Sequence, residues 1–178
     1  MPGVRTPLPQ MNIDALFPKA QTRPITATKA VGIDACFYNS SYRWHSVKNT
    51  PFATFTKTRS RSHQVISQGA TRYLTQDELK IGASYPVHFV FTSTDEAIER
   101  VGNSVPPLFM RAIAGQIAYA MFGGAEPVQT LQTIADYPAY LEAAWQQHLA
   151  PRTSDAPTVI STFAGAGGSS LGYSMAGY

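Results

Sequence analysis

The sequence predicts an α/β chain, and three stretches carry the prediction. Val159-Ile160-Ser161-Thr162 is a β-branched run that enters a glycine-rich turn, Phe163-Ala164-Gly165-Ala166-Gly167-Gly168, with a helix start following at Ser169-Ser170-Leu171-Gly172. Pro106-Pro107 opens an apolar segment in which Phe109, Ile113, Ile117 and Met121 recur at helical spacing before Gly123-Gly124. Pro51-Phe52-Ala53-Thr54-Phe55-Thr56 alternates as a strand does.

Taken in order, residues 1 to about 30 are rich in Pro, Thr and Lys, show no period, and read as loop, with Arg23 to Thr28 extended. Cys36 to Trp44 is aromatic and polar; short strands and an aromatic platform fit it equally. Among its rings, Tyr38, Tyr42 and Trp44 are expected in the core. Thr58 to His63 is a basic loop carrying Arg59 and Arg61. Thr75 and Glu78 make a capping box, which starts a helix at Thr75, and Ser93 with Glu96 repeats the pattern before Ala97-Ile98-Glu99-Arg100. Helical patches surround Leu131 and Leu141, interrupted by Pro138, and Pro151 to Pro157 reads as a linker.

Composition removes several classes. Cys36 is the one cysteine, so there is no internal disulfide and no thiolate zinc cluster, which fits a reducing cytoplasm. The four histidines are scattered, so no metal site is expected. Met1 to Gln10 carries Pro2, Pro7 and Pro9 without an apolar core, so no signal peptide opens the chain, and no apolar run suggests a membrane span. A net charge of +3 permits nucleic-acid contact without arguing for it.

The glycine turn places backbone amides at a helix start, where an anion such as a carboxylate binds. It is not the dinucleotide fingerprint: after Gly165 and Gly167 the third glycine would fall at Ser170. Its Phe-x-Gly-x-Gly-Gly form, followed by Leu171-Gly172 and Ala176-Gly177-Tyr178, resembles motif I of the cytosine-5 DNA methyltransferases. Gly102-Asn103-Ser104-Val105-Pro106-Pro107 resembles motif X of that family, and Arg72-Tyr73-Leu74-Thr75-Gln76-Asp77-Glu78 with Tyr85-Pro86 resembles motif IX. Motif I normally comes first and here comes last. The chain is therefore similar to the leading part of a circularly permuted enzyme.

The resemblance implies a partial S-adenosylmethionine-dependent, Rossmann-like methyltransferase fold with part of a target-recognition region. Residues 1–71 would end the recognition region and carry a DNA-contacting loop. Residues 72–123 would be the motif IX and X helical segment, 124–157 the permutation linker, and 158–178 the first strand, glycine loop and helix of the cofactor domain. The implied activity is methyl transfer from S-adenosylmethionine to C5 of cytosine in double-stranded DNA, in an enzyme of restriction-modification or phage type. The alternative is a non-catalytic subunit of a split enzyme, with the remaining segment as a second chain.

The resemblance assigns cofactor contacts to Phe163, Ala164, Gly165, Ala166, Gly167 and Gly168, and to Asn103, Ser104 and Val105 on the opposite side. On residues alone, the glycine loop fits a cofactor or an ordinary strand–helix joint about equally, and Asn103 to Val105 reads as a polar turn. Arg59, Arg61 and Lys57, with His63 nearby, fit a phosphate grip or a solvated loop; the family's arrangement favours DNA. Arg72, with Glu78 beside it in motif IX, is assigned structural support. The motif IX match departs at Ala83-Ser84-Tyr85-Pro86: Tyr85 replaces Phe, and Gly82 stands where a larger apolar residue is expected. No catalytic residue is assigned. The reaction needs a thiolate to attack C6 of the flipped-out base, the family nucleophile follows a proline, and Cys36 follows Ala35. The family's Glu-Asn-Val motif is absent as well, so the isolated chain is expected to be inactive.

Overall fold

The computed structural model describes residues 25–38, 41–123, 134–162 and 165–178. Thr26 caps a short helix α1 (Ala27–Val31), and Gly32 ends it in the left-handed region. Of the extended segment expected over Arg23 to Thr28, Thr26 is extended, Ala27 and Thr28 are helical instead, and Arg23 and Pro24 lie outside the described residues. A four-stranded antiparallel sheet follows, built from β1 (Ala35–Tyr38), β2 (Arg43–Ser46), β3 (Gln64–Ser67) and β4 (Ala70–Tyr73) in the order β2-β1-β3-β4. β3 and β4 form a hairpin whose turn residues Gln68 and Gly69 both have positive φ. Pro51 to Thr56 is not a strand. It stays irregular while Phe52 and Phe55 pack on the core.

Helix α2 (Gln76–Gly82) begins with the complete capping box: Glu78 N–H donates to Thr75 Oγ1, and Glu78 Oε2 accepts from the Thr75 amide. At its end, a Cβ on Gly82 would lie 2.9 Å from Phe55 Cζ and 3.0 Å from the Phe52 ring. The larger residue expected there is missing because two rings from the preceding segment already fill the space. Helix α3 (Thr94–Gly102) keeps half a box. Ser93 accepts from the Glu96 amide, but the Glu96 carboxylate turns to the Thr92 amide and hydroxyl and to Arg100.

Pro107 starts helix α4 (Pro107–Phe122), and Gly123 ends it. Helix α5 (Tyr137–Leu149) has Asp136 as its cap and Pro138 in its first turn, so Pro138 helps begin the helix it was expected to interrupt; Leu131 lies outside the described residues. Helix α6 (Gly168–Met175) packs along α4. A Cβ on Gly172 would stand 2.6 Å from the Pro107 carbonyl oxygen and 2.6 Å from Met110 Cβ. The two helices approach this closely only because position 172 has no side chain. The close approach turns the Pro107, Met110 and Ala114 side of α4 inward, while Phe109 and Met121 of the expected apolar stripe remain exposed.

The core joins the inner sheet face to the helices: Cys36, Val65, Leu79, Tyr85, Ile98 and Leu171 belong to one buried cluster. The expected Rossmann-like parallel sheet does not occur among the described residues; the sheet present is small and antiparallel. Val159 to Thr162, expected as a strand, forms no ladder, and Ile160 is exposed. A parallel strand is stable only between neighbours reached by crossovers, and no such neighbour is present among the described residues.

Candidate cofactor site

Three segments converge at the start of α6. The first is the end of motif IX. Ser84 holds a left-handed backbone (φ 62°), and its hydroxyl accepts from the Leu108 amide at 3.1 Å, capping α4. Tyr85 then enters the core fully buried, its ring against Phe89 and Phe91 at 4.9 and 5.9 Å. Its hydroxyl makes no hydrogen bond. Burial pushes the phenol pKa up, against a weaker opposing pull from the Ser104 hydroxyl nearby.

The second segment follows α3. The Asn103 amide closes that helix, and the Ser104 hydroxyl donates to the Val101 carbonyl at 2.9 Å. The Asn103 side chain is exposed, with no protein partner among the described residues. Val105 is half-buried and leads into Pro106 and Pro107.

The third is the glycine loop. Gly165 and Gly167 have φ of 54° and 76°, which L side chains rarely adopt, and Gly167 is the cap residue of α6 without a side-chain capping bond. Ala166 is buried. At Gly168 a Cβ would collide with the Val105 carbonyl oxygen and lie 2.7 Å from the Tyr85 hydroxyl. Val105 and the glycine loop therefore meet directly across Gly168. Phe163 and Ala164 lie outside the described residues.

The junction can hold an anionic group. The first amides of α6 have no intrahelical acceptors, the buried Tyr85 hydroxyl has a donor to spare, and the Asn103 amide is free to turn inward. A cleft of about 450 Å³ lies on another side of α6, bounded by Val159, Ser161, Ser170 and Tyr173, and none of the junction residues line it. Its far wall is Arg152, whose guanidinium donates to the carbonyls of Gln147, His148, Ala150, Ser174 and Tyr178. Arg152 thus pins the expected linker onto the ends of α5 and α6.

Arg72 and Glu78 form a two-pronged ion pair, at 2.7 and 2.6 Å, that ties β4 to α2. Burial raises the Glu78 pKa, but the Arg72 and Thr75 hydrogen bonds together outweigh it and hold the carboxyl below its ordinary value. The basic residues each have neighbours of their own. The Lys57 backbone lies against Gly102, where a Cβ would stand 2.5 Å from Lys57 Cα. Arg59 pairs with Asp95 at 3.2 Å and lies over the Tyr73 ring, and Arg61 lies over the Phe37 ring.

Cys36 is buried on β1, and desolvation raises its thiol to about 11. A thiol held there supplies almost no thiolate at neutral pH. No group of three metal-ligating side chains occurs among the described residues. No helix among them is long and apolar enough to cross a membrane.

Two contributors escaped sequence reading. Ser84 and Tyr85 looked like departures from the motif IX ending; their hydroxyls instead cap α4 and face Gly168. The one available signal was Tyr in place of Phe, a hydroxyl added to an otherwise apolar position.

A small antiparallel sheet and clustered helices thus bring the glycine loop against the turn at residues 103–105. The family model for the C-5 cytosine-specific DNA methylase matches residues 15–136, more than half of the chain, and the chain belongs to that family. Comparison with curated proteins and with solved structures yields no match.

Proposed function

We propose that the chain forms the cofactor clasp and a DNA-facing part of a DNA (cytosine-5-)-methyltransferase of circularly permuted order, of restriction-modification or phage type. The observation that carries this reading is the meeting of Val105 and Gly168 beside the unpartnered Tyr85 hydroxyl. Motif X lies inside the family match and the glycine loop outside it, yet the fold packs one against the other.

The residues fit S-adenosylmethionine, which when bound supplies the methyl group for C5. The amides that open α6 and the Tyr85 hydroxyl would hold its carboxylate end, Asn103 and Ser104 would add hydrogen bonds, and Val105 would give apolar contact. Gly165 and Gly167 supply the left-handed backbone that would turn the α6 amides toward that carboxylate. Lys57, Arg59 and Arg61 would contact DNA phosphate. Arg72 and Glu78 hold the recognition sheet on the helical segment.

The thiolate that must attack C6 is not supplied by Cys36, so a segment with the Pro-Cys and Glu-Asn-Val motifs must complete the site, fused or as a second chain. Without that covalent adduct, C5 of cytosine is too weak a nucleophile to take the methyl group. The test is incorporation of labelled methyl into a cytosine-containing duplex. Residues 1–178 alone are expected to give none, and addition of the completing segment to restore it. Transfer by the chain alone, abolished in Cys36→Ser, would overturn the reading.

A further inference from the structure

The strand register sets up a row of side chains that the cofactor clasp does not use. In β1 and β3, Cys36 faces Val65, and both are buried in the core. Alternation therefore sends Phe37 and Gln64 to the opposite, outer face, where Phe37 is itself buried beneath its neighbours. Phe37 pairs with Trp44 on β2, and Gln64 pairs with Tyr73 on β4. Trp44, Phe37, Gln64 and Tyr73 thus run straight across all four strands. Trp44 meets Phe37 edge-on at 5.5 Å, and both Trp44 and Tyr73 keep about two fifths of their surface in solvent.

Two arginines lie over rings of this row. The Arg61 guanidinium sits 5.0 Å above the Phe37 ring, and the Arg59 guanidinium 4.7 Å above the Tyr73 ring. A ring beneath a guanidinium attracts the cation and leaves N–H donors for contact with phosphate. Arg61 has no carboxylate partner among the described residues. Arg59 has one, Asp95, through an exposed ion pair that a phosphate can displace. The nearest elements therefore place two cations and one carboxylate on the face.

We propose that this outer face is a duplex-DNA interface, with Arg61 and Arg59 on the phosphate backbone and Trp44 and Tyr73 packed against the strand between them. It rests on the DNA methyltransferase reading, and it moves the centre of DNA contact from the loop itself to the sheet that the loop overhangs.

The test uses the full chain and a fluorescein-labelled mixed-sequence duplex, read by anisotropy across a salt series. Arg61→Gln is expected to weaken binding about five- to tenfold and to lower the slope of log affinity against log salt by about one. In a Trp145→Phe background Trp44 is the remaining tryptophan, and its emission is expected to be quenched by the duplex. Trp44→Ala, checked for native circular dichroism, is expected to weaken binding without changing the slope. If the chain binds the duplex while Arg61→Gln keeps both affinity and slope and Trp44 emission is unmoved, this inference fails and the DNA reading stands. If the chain does not bind the duplex at all, or prefers the single strand, both fail.

Discussion

Adding one carbon at position 168 should separate the two halves of the clasp. In Gly168→Ala the new Cβ collides with the Val105 carbonyl oxygen and falls 2.7 Å from the Tyr85 hydroxyl. Neither neighbour can yield cheaply. The first is backbone just before two prolines, and the second ends a fully buried ring packed by Phe89 and Phe91. Helix α6 must therefore back away from the 103–105 turn. Overpacking of this kind costs about 1–3 kcal/mol. If that cost falls on the closed clasp, S-adenosylmethionine affinity drops by about five- to 150-fold. The assay is calorimetric titration of the chain, with thermal unfolding to separate lost binding from lost fold. Gly167→Ala is the contrast: its Cβ enters open space, so the cost is left-handed strain at the helix cap alone. Unchanged affinity in Gly168→Ala, or an equal loss in both variants, would refute the steric reasoning.

Further outcomes follow from the same geometry. Arg72→Ala leaves Glu78 half-buried without its ion partner and should cost about 1–2 kcal/mol in urea unfolding, the moderate size reflecting the partial exposure of the arginine. Ser84→Ala removes the hydroxyl that caps α4 and should cost about 1 kcal/mol in the same assay. Cys36 should resist a water-soluble thiol reagent in the folded chain at pH 7.5 and react on unfolding; rapid native-state labelling would contradict its burial. Desolvation lowers the folded-state pKa of His63 and, with the Arg152 charge, that of His148. The unfolded chain then takes up protons first. Their contribution is complete above the ordinary value of 6.5 and falls below it, by at most about 1.4 kcal/mol per pH unit for each histidine. Denaturant midpoints that stay flat from pH 7 to 5.5 would contradict this.

Local signals were legible where a few neighbouring residues decide the outcome. The Thr75–Glu78 box, the Pro107 helix start and the glycine turn into α6 all follow from groups within one turn of each other. Misreadings arose where a distant partner decides. Phe52 and Phe55 alternate like a strand, but they are spent filling the gap at Gly82. Phe109 and Met121 make a core-like stripe, yet the small residue at 172 draws the other side of α4 inward. Val159 and Ile160 have strand chemistry without a strand beside them among the described residues. Trp44, expected in the core, is exposed because β2 is the sheet's edge, and Tyr42 because it stands in the turn before β2. At the candidate site, the motif residues could be picked out singly. That Val105 touches Gly168, with the Tyr85 hydroxyl beside them, is a product of tertiary packing, and no spacing encodes it.

Residues 103–105 and the glycine loop are proposed as the two walls of one S-adenosylmethionine site. Backbone amide spectra of the isotope-labelled chain, titrated with S-adenosylmethionine, test it most directly. Asn103 to Val105 and Gly165 to Ser170 are expected to shift together along one saturation curve, with Tyr85 following them. Shifts confined to one of the two segments, or saturation at two different concentrations, would contradict it.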